Sequence, residues 1–276
     1  MTRVAVSGSF DDLRSRGMRF LEEASRLGDL LVLLWSDAAV RSLEGRAPKF
    51  PEEERRYLVE ALRYVHRVKV TDGPFGGDEL PLPEEVRPDL WVLGPGEDGP
   101  AKRAFAKARG LAVRAIEEEE LRGFPVPETP GPEPAPSAPG RKKVIVTGCY
   151  DWFHSGHVRF FEEVSALGDL YVVVGHDANL RLLKGEGHPL FPQEERLYMV
   201  QAVRFVRGAM VASGQGWLDA EPEIRRIRPD IYAVNEDGDR PEKREYCERN
   251  GIRYVVLKRT PREGLPRRES TALRGF

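Results

Sequence analysis

The chain has 276 residues, of which 40% are apolar and 32% charged, and its formal net charge is −2 at pH 7. This length and apolar content can support two cores of ordinary domain size. The nearly balanced charge gives no indication of a nucleic-acid or membrane partner. Two cysteines, the lack of a signal-like N-terminus and the lack of an 18-residue apolar stretch predict a cytoplasmic protein without a disulfide framework.

The first half of the chain is repeated in the second half. At an offset of 140 residues, VAVSGSFDDLRSRGMRFLEEASRLGDLLVLL (4–34) overlays VIVTGCYDWFHSGHVRFFEEVSALGDLYVVV (144–174). With one residue inserted, FPEEERRYLVEALRYV then overlays FPQEERLYMVQAVRFV, and RPDLWVLG overlays RPDIYAVN. Self-similarity of this extent indicates a tandem duplication.

A proline-rich segment, residues 124–140, separates the two copies. Its sequence is FPVPETPGPEPAPSAPG, and such a composition cannot bury a core and is typical of an extended, semi-rigid linker. We therefore predict one domain at residues 1–123 and a second at residues 141–276.

Each copy alternates short runs of Val, Leu and Ile with amphipathic segments whose apolar residues recur about every 3.6 positions. This alternation predicts βαβ units on a parallel sheet, and hence an α/β fold of two tandem, Rossmann-like, doubly wound domains. Ligands of such folds bind outside the carboxyl ends of the strands. Residues 148–157 follow the first apolar run of the second copy and so lie at one such end.

These residues, GCYDWFHSGH, place two histidines at the start of a predicted helix. A helix start has unpaired N–H groups and the positive end of the helix dipole, both of which favour a phosphate. His154 and His157 are three residues apart and so share one helix face, while Gly156 lets a bulky ligand approach the backbone. The pattern predicts an anion-binding site.

The HSGH segment resembles the HxGH signature of the cytidylyltransferase-like nucleotidyltransferases. This family includes glycerol-3-phosphate and ethanolamine-phosphate cytidylyltransferases and the nucleotidyl-transfer domain of heptose synthases. Residues 175–206, with Lys184 and Arg196, are similar to the family's second block, and Arg259-Thr260 with Ser270-Thr271 resembles its R-T-x-G-x-S-T motif. The resemblance covers nearly all of residues 144–275, and the tandem arrangement is similar to that of ethanolamine-phosphate cytidylyltransferase.

The resemblance implies an enzyme that transfers CMP, or as second choice AMP, from a nucleoside triphosphate to a small phosphorylated alcohol or sugar and releases pyrophosphate. It implies that His154 and His157 donate hydrogen bonds to phosphate oxygens and that Lys184 draws a phosphate into place. The implied nucleotide-binding residues are Gly148, Cys149, Tyr150, Gly156, Arg196, Asn235, Arg259, Thr260, Ser270 and Thr271. Mg²⁺ would accompany the triphosphate, and we assign it no protein ligand.

The first copy provides an internal comparison. It has Arg14, Arg16 and Gly17 where the second has His154, Gly156 and His157, and no R-T…S-T segment follows its last strand. We therefore predict that the N-terminal domain is a degenerate copy, inactive as a transferase. Features present in both copies have a structural alternative, and these are the pairs Asp11/Asp151, Asp37/Asp177 and Arg55/Arg196. Lys184 has the alternative of an ordinary solvated residue, and Cys149 that of a small buried filler.

Two departures from the family pattern leave questions open. The segment RTPREGLPRREST is longer than the usual third block, and its loop, residues 261–269, adds three arginines that either recognise an extra phosphate or cover the surface. Asn235 and the acidic residues after it stand where the family commonly has a glycine and then an acid near the base. The choice between CTP and ATP is therefore open.

Two alternatives compete with a simple enzyme. The protein is either a transferase or a nucleotide-binding regulatory protein that has kept the pocket without turnover, and the intact HSGH favours the transferase. The first copy could also serve as a packing partner that imitates the second subunit of a homodimer. That hypothesis predicts a monomer with an internal pseudo-dimer, whereas without it we expect a homodimer.

Overall fold

The computed structural model describes residues 2–73, 75–125 and 140–273, except for the side chain of Thr271. The chain divides into two compact units, residues 1–123 and 124–276. The linker predicted at 124–140 stays a prediction, because residues 126–139 lie outside the described residues. None of the helices in the described ranges has the length and apolar character needed to cross a bilayer.

Unit 1 contains a five-stranded parallel sheet with the strand order β3-β2-β1-β4-β5. Its strands are β1 Arg3–Gly8, β2 Asp29–Trp35, β3 Arg67–Thr71, β4 Leu90–Leu93 and β5 Ala112–Ala115. Its helices are α1 Ser15–Ser25, α2 Asp37–Glu44, α3 Glu52–Glu60 and α4 Pro100–Ala108, and a 3-10 helix covers Glu118–Leu121.

Unit 2 repeats this plan with the strand order β10-β9-β6-β7-β8. Its strands are β6 Lys143–Gly148, β7 Asp169–Val174, β8 Val206–Val211, β9 Ile231–Asn235 and β10 Arg253–Leu257. Its helices are α5 Ser155–Ser165, α6 Asp177–Lys184, α7 Gln193–Gln201, α8 Glu221–Ile227, α9 Pro241–Arg249 and α10 Ser270–Leu273, and 3-10 helices cover Gly216–Leu218 and Glu236–Gly238. All strand pairs are parallel, which confirms the predicted Rossmann-like α/β fold.

The strands are continuous apolar runs because both faces of a parallel sheet are covered. In unit 2, Val144, Ile145 and Val146 of β6 are fully buried, and Tyr171 of β7 and Tyr232 of β9 are each 1% exposed. Burying each such side chain stabilises the fold by roughly 1.5–3 kcal/mol. The central strands of the sheet therefore hold its strand ends in fixed positions.

The duplication extends to strand register and to a glycine contact. The pair β1·β2 runs from Arg3↔Asp29 to Gly8↔Leu34, and β6·β7 has the same register 140 residues later. A Cβ atom on Gly28 would lie 2.1 Å from the Thr2 carbonyl oxygen, and one on Gly168 would lie 2.2 Å from the Lys142 carbonyl oxygen. A larger residue at either glycine would push the two backbone segments apart.

In the sheet of unit 2, the order in which the chain adds strands reverses at strand β6. From β6 the chain proceeds through β7 to β8 on one side, and then crosses to β9 and β10 on the other. A crevice forms outside the carboxyl ends of the strands at such a switch point. The turn that follows β6 and the loop that follows β9 border this crevice.

Candidate active site

The turn after β6 has the same unusual backbone in both units. Tyr150 and Trp152 have φ values of 54° and 57°, and the equivalent Phe10 and Asp12 have values of 45° and 52°. Left-handed residues other than glycine are uncommon and carry strain. Because the first copy lacks the histidines but keeps this conformation, the turn belongs to the fold and delivers whatever follows it to the start of the next helix.

In unit 2 the turn delivers two stacked imidazoles. His154 caps helix α5, and its Nδ1 accepts a hydrogen bond of 3.1 Å from the Gly156 N–H. The Nδ1 of His157 accepts one of 3.3 Å from the His154 N–H, and the two ring centroids lie 4.0 Å apart. Since each Nδ1 is an acceptor, each neutral ring carries its proton on Nε2. The pair therefore has two Nε2–H donors.

The charge state of His157 follows from its surroundings. Burial, followed by the positive charges of Arg259 and Lys184, lowers the pKa of His157 to about 3. The ring is therefore neutral near pH 7 and acts as a hydrogen-bond donor and not as a cation.

A cleft of about 410 Å³ lies over the strand ends of unit 2. It brings together most of the residues that the sequence singled out, namely Gly148, Cys149, Tyr150, His154, Gly156, His157, Lys184, Asn235 and Arg259. Lys184 is exposed at its edge, whereas His154 is 1% exposed. These residues come from the ends of β6, α6, β9 and β10, so the sheet assembles the site from four separate segments.

A smaller cavity of about 20 Å³ adjoins the cleft and shares Gly156, Asn235 and Arg259 with it. Thr260 lines this smaller cavity, as do Lys258 and three arginines of the 261–269 loop, Arg262, Arg267 and Arg268. Arg259 joins the two cavities: its guanidinium donates to Asp237 at 2.9 Å and to the Arg268 carbonyl oxygen at 2.9 Å. The third block therefore meets the histidines at one end of the cleft.

Arg196 does not reach this site. Its guanidinium is 1% exposed and donates to the carbonyl oxygens of Phe191, Cys149 and Gly175 at 2.9, 2.6 and 2.8 Å, and to Asp177 at 2.6 Å. The protein itself therefore occupies this guanidinium, and the assignment of Arg196 to a phosphate stays a prediction.

The first copy shows the same arrangement. Arg55 is fully buried and donates to Phe50, Ser9, Trp35 and Asp37 at 2.6–3.0 Å. A contact kept in a copy without the histidines serves the fold.

Asp151 also has a structural partner. It accepts hydrogen bonds from the Leu190 and Phe191 N–H groups at 3.0 and 3.1 Å. Its equivalent Asp11 accepts from the Lys49 and Phe50 N–H groups in the same way. In each unit this aspartate ties the turn after the first strand to the loop before the third helix.

Ser270 lies outside the linings of both cavities, and its Oγ is 3.5 Å from the Trp152 carbonyl oxygen. The helix α10 that it begins is four residues long. The side chain of Thr271 lies outside the described residues. The assignment of Ser270 and Thr271 to a triphosphate stays a prediction.

The part of the chain that is similar to known proteins contains most of the residues of the cleft. The cytidylyltransferase-like family model matches residues 145–263. The FAD synthase of Ferroglobus placidus is 36% identical over 120 residues, which are 42% of this chain and 75% of that protein. The chain belongs to the cytidylyltransferase-like family. It is accordingly a nucleotidyltransferase.

Two further relatives agree with this assignment. The FAD synthase of Methanocella paludicola is 33% identical over 135 residues, which are 48% of this chain and 93% of that protein. The bifunctional protein HldE of Desulfatibacillum aliphaticivorans is 32% identical over 121 residues, which are 43% of this chain and 24% of that protein. The family match falls within unit 2, the unit that carries the histidines.

The nucleotidyltransferase cleft contains polar residues that the sequence interpretation missed. Asn179, Trp217, Asp219 and Lys243 all line it. Asp219 accepts a 3.0 Å hydrogen bond from Asn179 Nδ2, and burial raises its pKa. Burial lowers the pKa of the Lys243 ammonium, which donates to Thr147 Oγ1 at 3.3 Å.

A comparison of the two copies could have pointed to these cleft residues, through a substitution in the residues that surround them. Asp219 and Lys243 recur in the first copy as Asp78 and Lys102, so their retention alone gives no functional signal. What changes is Gly175, whose place in the first copy is taken by Trp35. A glycine that becomes tryptophan beside a strand end indicates that a space has closed.

The structure places Trp35 at the corresponding strand end of unit 1. Its indole Nε1 donates a 2.6 Å hydrogen bond to Ser7 Oγ, and its ring lies 6.0 Å from that of Phe75. Ser7 is the equivalent of Thr147 in the cleft of unit 2. In unit 1 an indole therefore occupies the strand end that borders the cleft in unit 2.

Proposed function

We propose that unit 2 transfers CMP or AMP from a nucleoside triphosphate to a small phosphorylated alcohol or sugar and releases pyrophosphate. The observation that carries this proposal is the pair of stacked imidazoles at the start of α5, which line one cleft together with Lys184 and Arg259. Such a constellation suits a phosphorus centre on which negative charge shifts during reaction.

In the proposed reaction an oxygen of the acceptor phosphate attacks the α-phosphorus of the triphosphate. A new P–O bond forms to the acceptor as the bond from the α-phosphorus to its bridging oxygen breaks, and pyrophosphate leaves on the opposite side. No base is needed, because a phosphate acceptor is already ionised near pH 7. Catalysis is then mostly positioning and neutralisation of charge.

The residues of the cleft divide this work. His154 and His157 donate Nε2–H bonds to oxygens of the α-phosphate, and their rings are stacked with centroids 4.0 Å apart. Arg259, with Thr260 beside it, binds the phosphates that leave, and Lys184 attracts the incoming phosphate from the cleft edge. The remaining nucleotide contacts that we propose come from Gly148, Cys149, Tyr150, Gly156 and Asn235, with Ser270 and Thr271 as predicted from the third block.

Mg²⁺ belongs to the proposal as the partner of the triphosphate, whose charge it neutralises when bound. Among the described residues, no three His, Cys, Asp or Glu side chains form a group that could hold a metal ion. We propose that the ion is held by the phosphate oxygens, because Mg²⁺ prefers oxygen ligands and usually binds through substrate phosphates and water. The donors described above act on the phosphate groups directly.

Of the two nucleotides, the relatives favour ATP. Two of them are FAD synthases, and FAD consists of AMP joined to FMN through their phosphates. FMN is itself a phosphorylated alcohol, so AMP transfer to FMN satisfies the acceptor chemistry proposed above. We therefore place ATP with FMN first, and CTP with glycerol 3-phosphate or ethanolamine phosphate second.

The test mixes the full chain with Mg²⁺ and either ATP or CTP, each against FMN, glycerol 3-phosphate, ethanolamine phosphate and a heptose phosphate. We expect pyrophosphate release from at least one pair, and a loss of about 100-fold or more in His157→Ala, since it removes a transition-state donor. Release that is unchanged in His157→Ala would contradict the mechanism. Nucleotide binding without release from any pair would support the regulatory alternative.

A further inference from the structure

A buried lysine at the floor of the cleft has no role in the reaction described above. Lys243 lies on helix α9, its side chain is 8% exposed, and it lines the cleft beneath the switch point of the sheet. Its ammonium lies 5.7 Å from the centre of the Tyr232 ring. Side chains of β6 and β9 therefore lie next to this cation, whereas Lys184 is exposed.

The hydrogen bonds of Lys243 are incomplete. An ammonium has three donors, and within the described ranges its one hydrogen-bond partner is Thr147 Oγ1 at 3.3 Å. That hydroxyl is shared, since it also lies 2.8 Å from the Tyr232 hydroxyl. Lys243 forms no ion pair with a described carboxylate, and Asp219 attracts it from a longer distance.

A buried cation without a close anion is costly, and proteins tolerate it where a ligand supplies the missing charge. Burial is the main cause that lowers the pKa of Lys243, and a bound anion would reverse that effect. The two remaining N–H donors and the position on the cleft wall suit a phosphate group.

The location within the cleft indicates which phosphate this is. Gly156, Asn235 and Arg259 border both cavities, whereas Lys243, Asp219 and the other polar residues near them line the larger one alone. In-line transfer puts the leaving pyrophosphate and the acceptor on opposite sides of the α-phosphorus. If the leaving group lies by Arg259, the acceptor lies toward Lys243.

The degenerate copy supports this assignment independently. There the tryptophan at position 35 donates its indole N–H to Ser7, the equivalent of the hydroxyl that Lys243 contacts in unit 2. The lysine itself is retained as Lys102. In unit 1, which has no such histidines, the Trp35 indole therefore lies against Ser7, the equivalent of Thr147. This is expected if the corresponding space in unit 2 holds a substrate.

We propose that Lys243 binds the phosphate of the acceptor and, together with Lys184, forms the acceptor half of the cleft. Lys184 attracts the phosphate from the edge, and Lys243 fixes it on the floor within reach of the nucleotide. This proposal rests on the proposed function for the identity of the acceptor. It does not depend on that function for the existence of a phosphate site.

The first experiment measures phosphate binding without turnover. Inorganic phosphate is titrated calorimetrically into the full chain that is saturated with Mg²⁺ and a non-hydrolysable ATP analogue. We expect Lys243→Met to weaken phosphate binding about tenfold or more, as loss of a charged hydrogen bond does. Lys102→Met in unit 1 is the matched control and leaves it unchanged. Equal affinity in Lys243→Met and wild type, or no binding by the wild type, would overturn the inference.

The second experiment uses whichever nucleotide and acceptor pair supports pyrophosphate release. Lys243→Met is expected to raise the KM for the acceptor about tenfold and leave the KM for the nucleotide unchanged. A rise confined to the nucleotide KM would overturn the assignment. If no pair supports release in the wild type, the proposed function fails, while the phosphate titration still decides the role of Lys243. Lys243→Gln replaces Lys243→Met if circular dichroism shows the latter unfolded.

Discussion

At the residue scale, the two histidines act as a hydrogen-bonded unit. Each Nδ1 accepts from the backbone, so the helix start fixes both tautomers before a substrate arrives. Neutral imidazoles at a helix start can donate hydrogen bonds to a phosphate without first being protonated to cations. The fixed tautomers therefore explain how ordinary imidazoles can serve a phosphorus centre near neutral pH.

The low pKa of His157 predicts a pH dependence of stability. The pKa falls from 6.5 to about 3 on folding, so between these values the unfolded chain binds a proton that the folded chain does not. Stability is therefore lost as the pH falls from 6.5 toward 3. We expect denaturant unfolding at pH 7.5 and pH 5 to show a loss that is larger in wild type than in His157→Gln by up to about 2 kcal/mol. An equal loss in both proteins would place the pKa near its ordinary value.

The buried arginines are also a residue-scale feature, since each connects several backbone carbonyls with one aspartate. We expect Arg196→Met and its matched variant Arg55→Met each to lower the free energy of unfolding by about 3–5 kcal/mol, because each leaves three carbonyl oxygens without their donor and breaks an ion pair to a partly exposed aspartate. Chemical denaturation of the full chain measures this. Unchanged stability in Arg196→Met, accompanied by lost nucleotide binding, would instead support the predicted role of Arg196 as a phosphate ligand.

At the element scale, the start of α5 depends on the glycine between the histidines. A Cβ atom on Gly156 would lie 2.9 Å from His154 Cε1 and 3.0 Å from its Nδ1. Because that contact involves the imidazole that caps the helix, a larger residue must displace the ring. The glycine of HSGH is therefore required by the histidine beside it as well as by any ligand.

Gly156→Ala is expected to lower the transfer rate by about 10- to 100-fold, since displaced donors meet the phosphate poorly. Stability should change little, because alanine favours a helix over glycine by about 1 kcal/mol and offsets the strain. Pyrophosphate release and thermal unfolding measure the two effects. Gly17→Ala in α1 is the control, since its Cβ would meet only the end of the Leu13 side chain. A full rate in Gly156→Ala would show that the ring position is not critical.

At the scale of the whole molecule, the two units share one fold and differ at the end of the first strand. Both units keep the sheet, the turn and the buried arginine, while the open cleft with paired histidines is found in unit 2. In unit 1 the indole of Trp35 occupies the corresponding strand end, and Arg14 pairs with Asp12 where the histidines would begin. We infer that unit 1 has kept the fold and lost the nucleotide site.

This difference predicts one nucleotide site per chain. Isothermal titration of the full chain with an ATP or CTP analogue and Mg²⁺ should give a stoichiometry of one, and His157→Ala should weaken binding at that site. A second site of comparable affinity that persists in His157→Ala would contradict the loss of function in unit 1. Light scattering of the same sample distinguishes the monomer with an internal pseudo-dimer from the homodimer.

The sequence by itself determined the duplication, the parallel α/β fold and the position of HSGH at a helix start. These follow from local regularities, since apolar runs predict buried strands and a turn between a strand and a helix predicts the edge of the sheet. The sequence alone also shows that the first copy lacks the two histidines.

Only the tertiary structure decided which polar residues meet. Arg196 and Lys243 are both cations, yet carbonyl oxygens enclose Arg196, whereas Lys243 lines the cleft and, among the described residues, has one hydrogen-bond partner, Thr147 Oγ1. Trp35 in place of Gly175 closes a space that no local pattern describes. The physical reason is that burial and pairing depend on atoms from segments far apart in the chain, and these come together only when the sheet has formed.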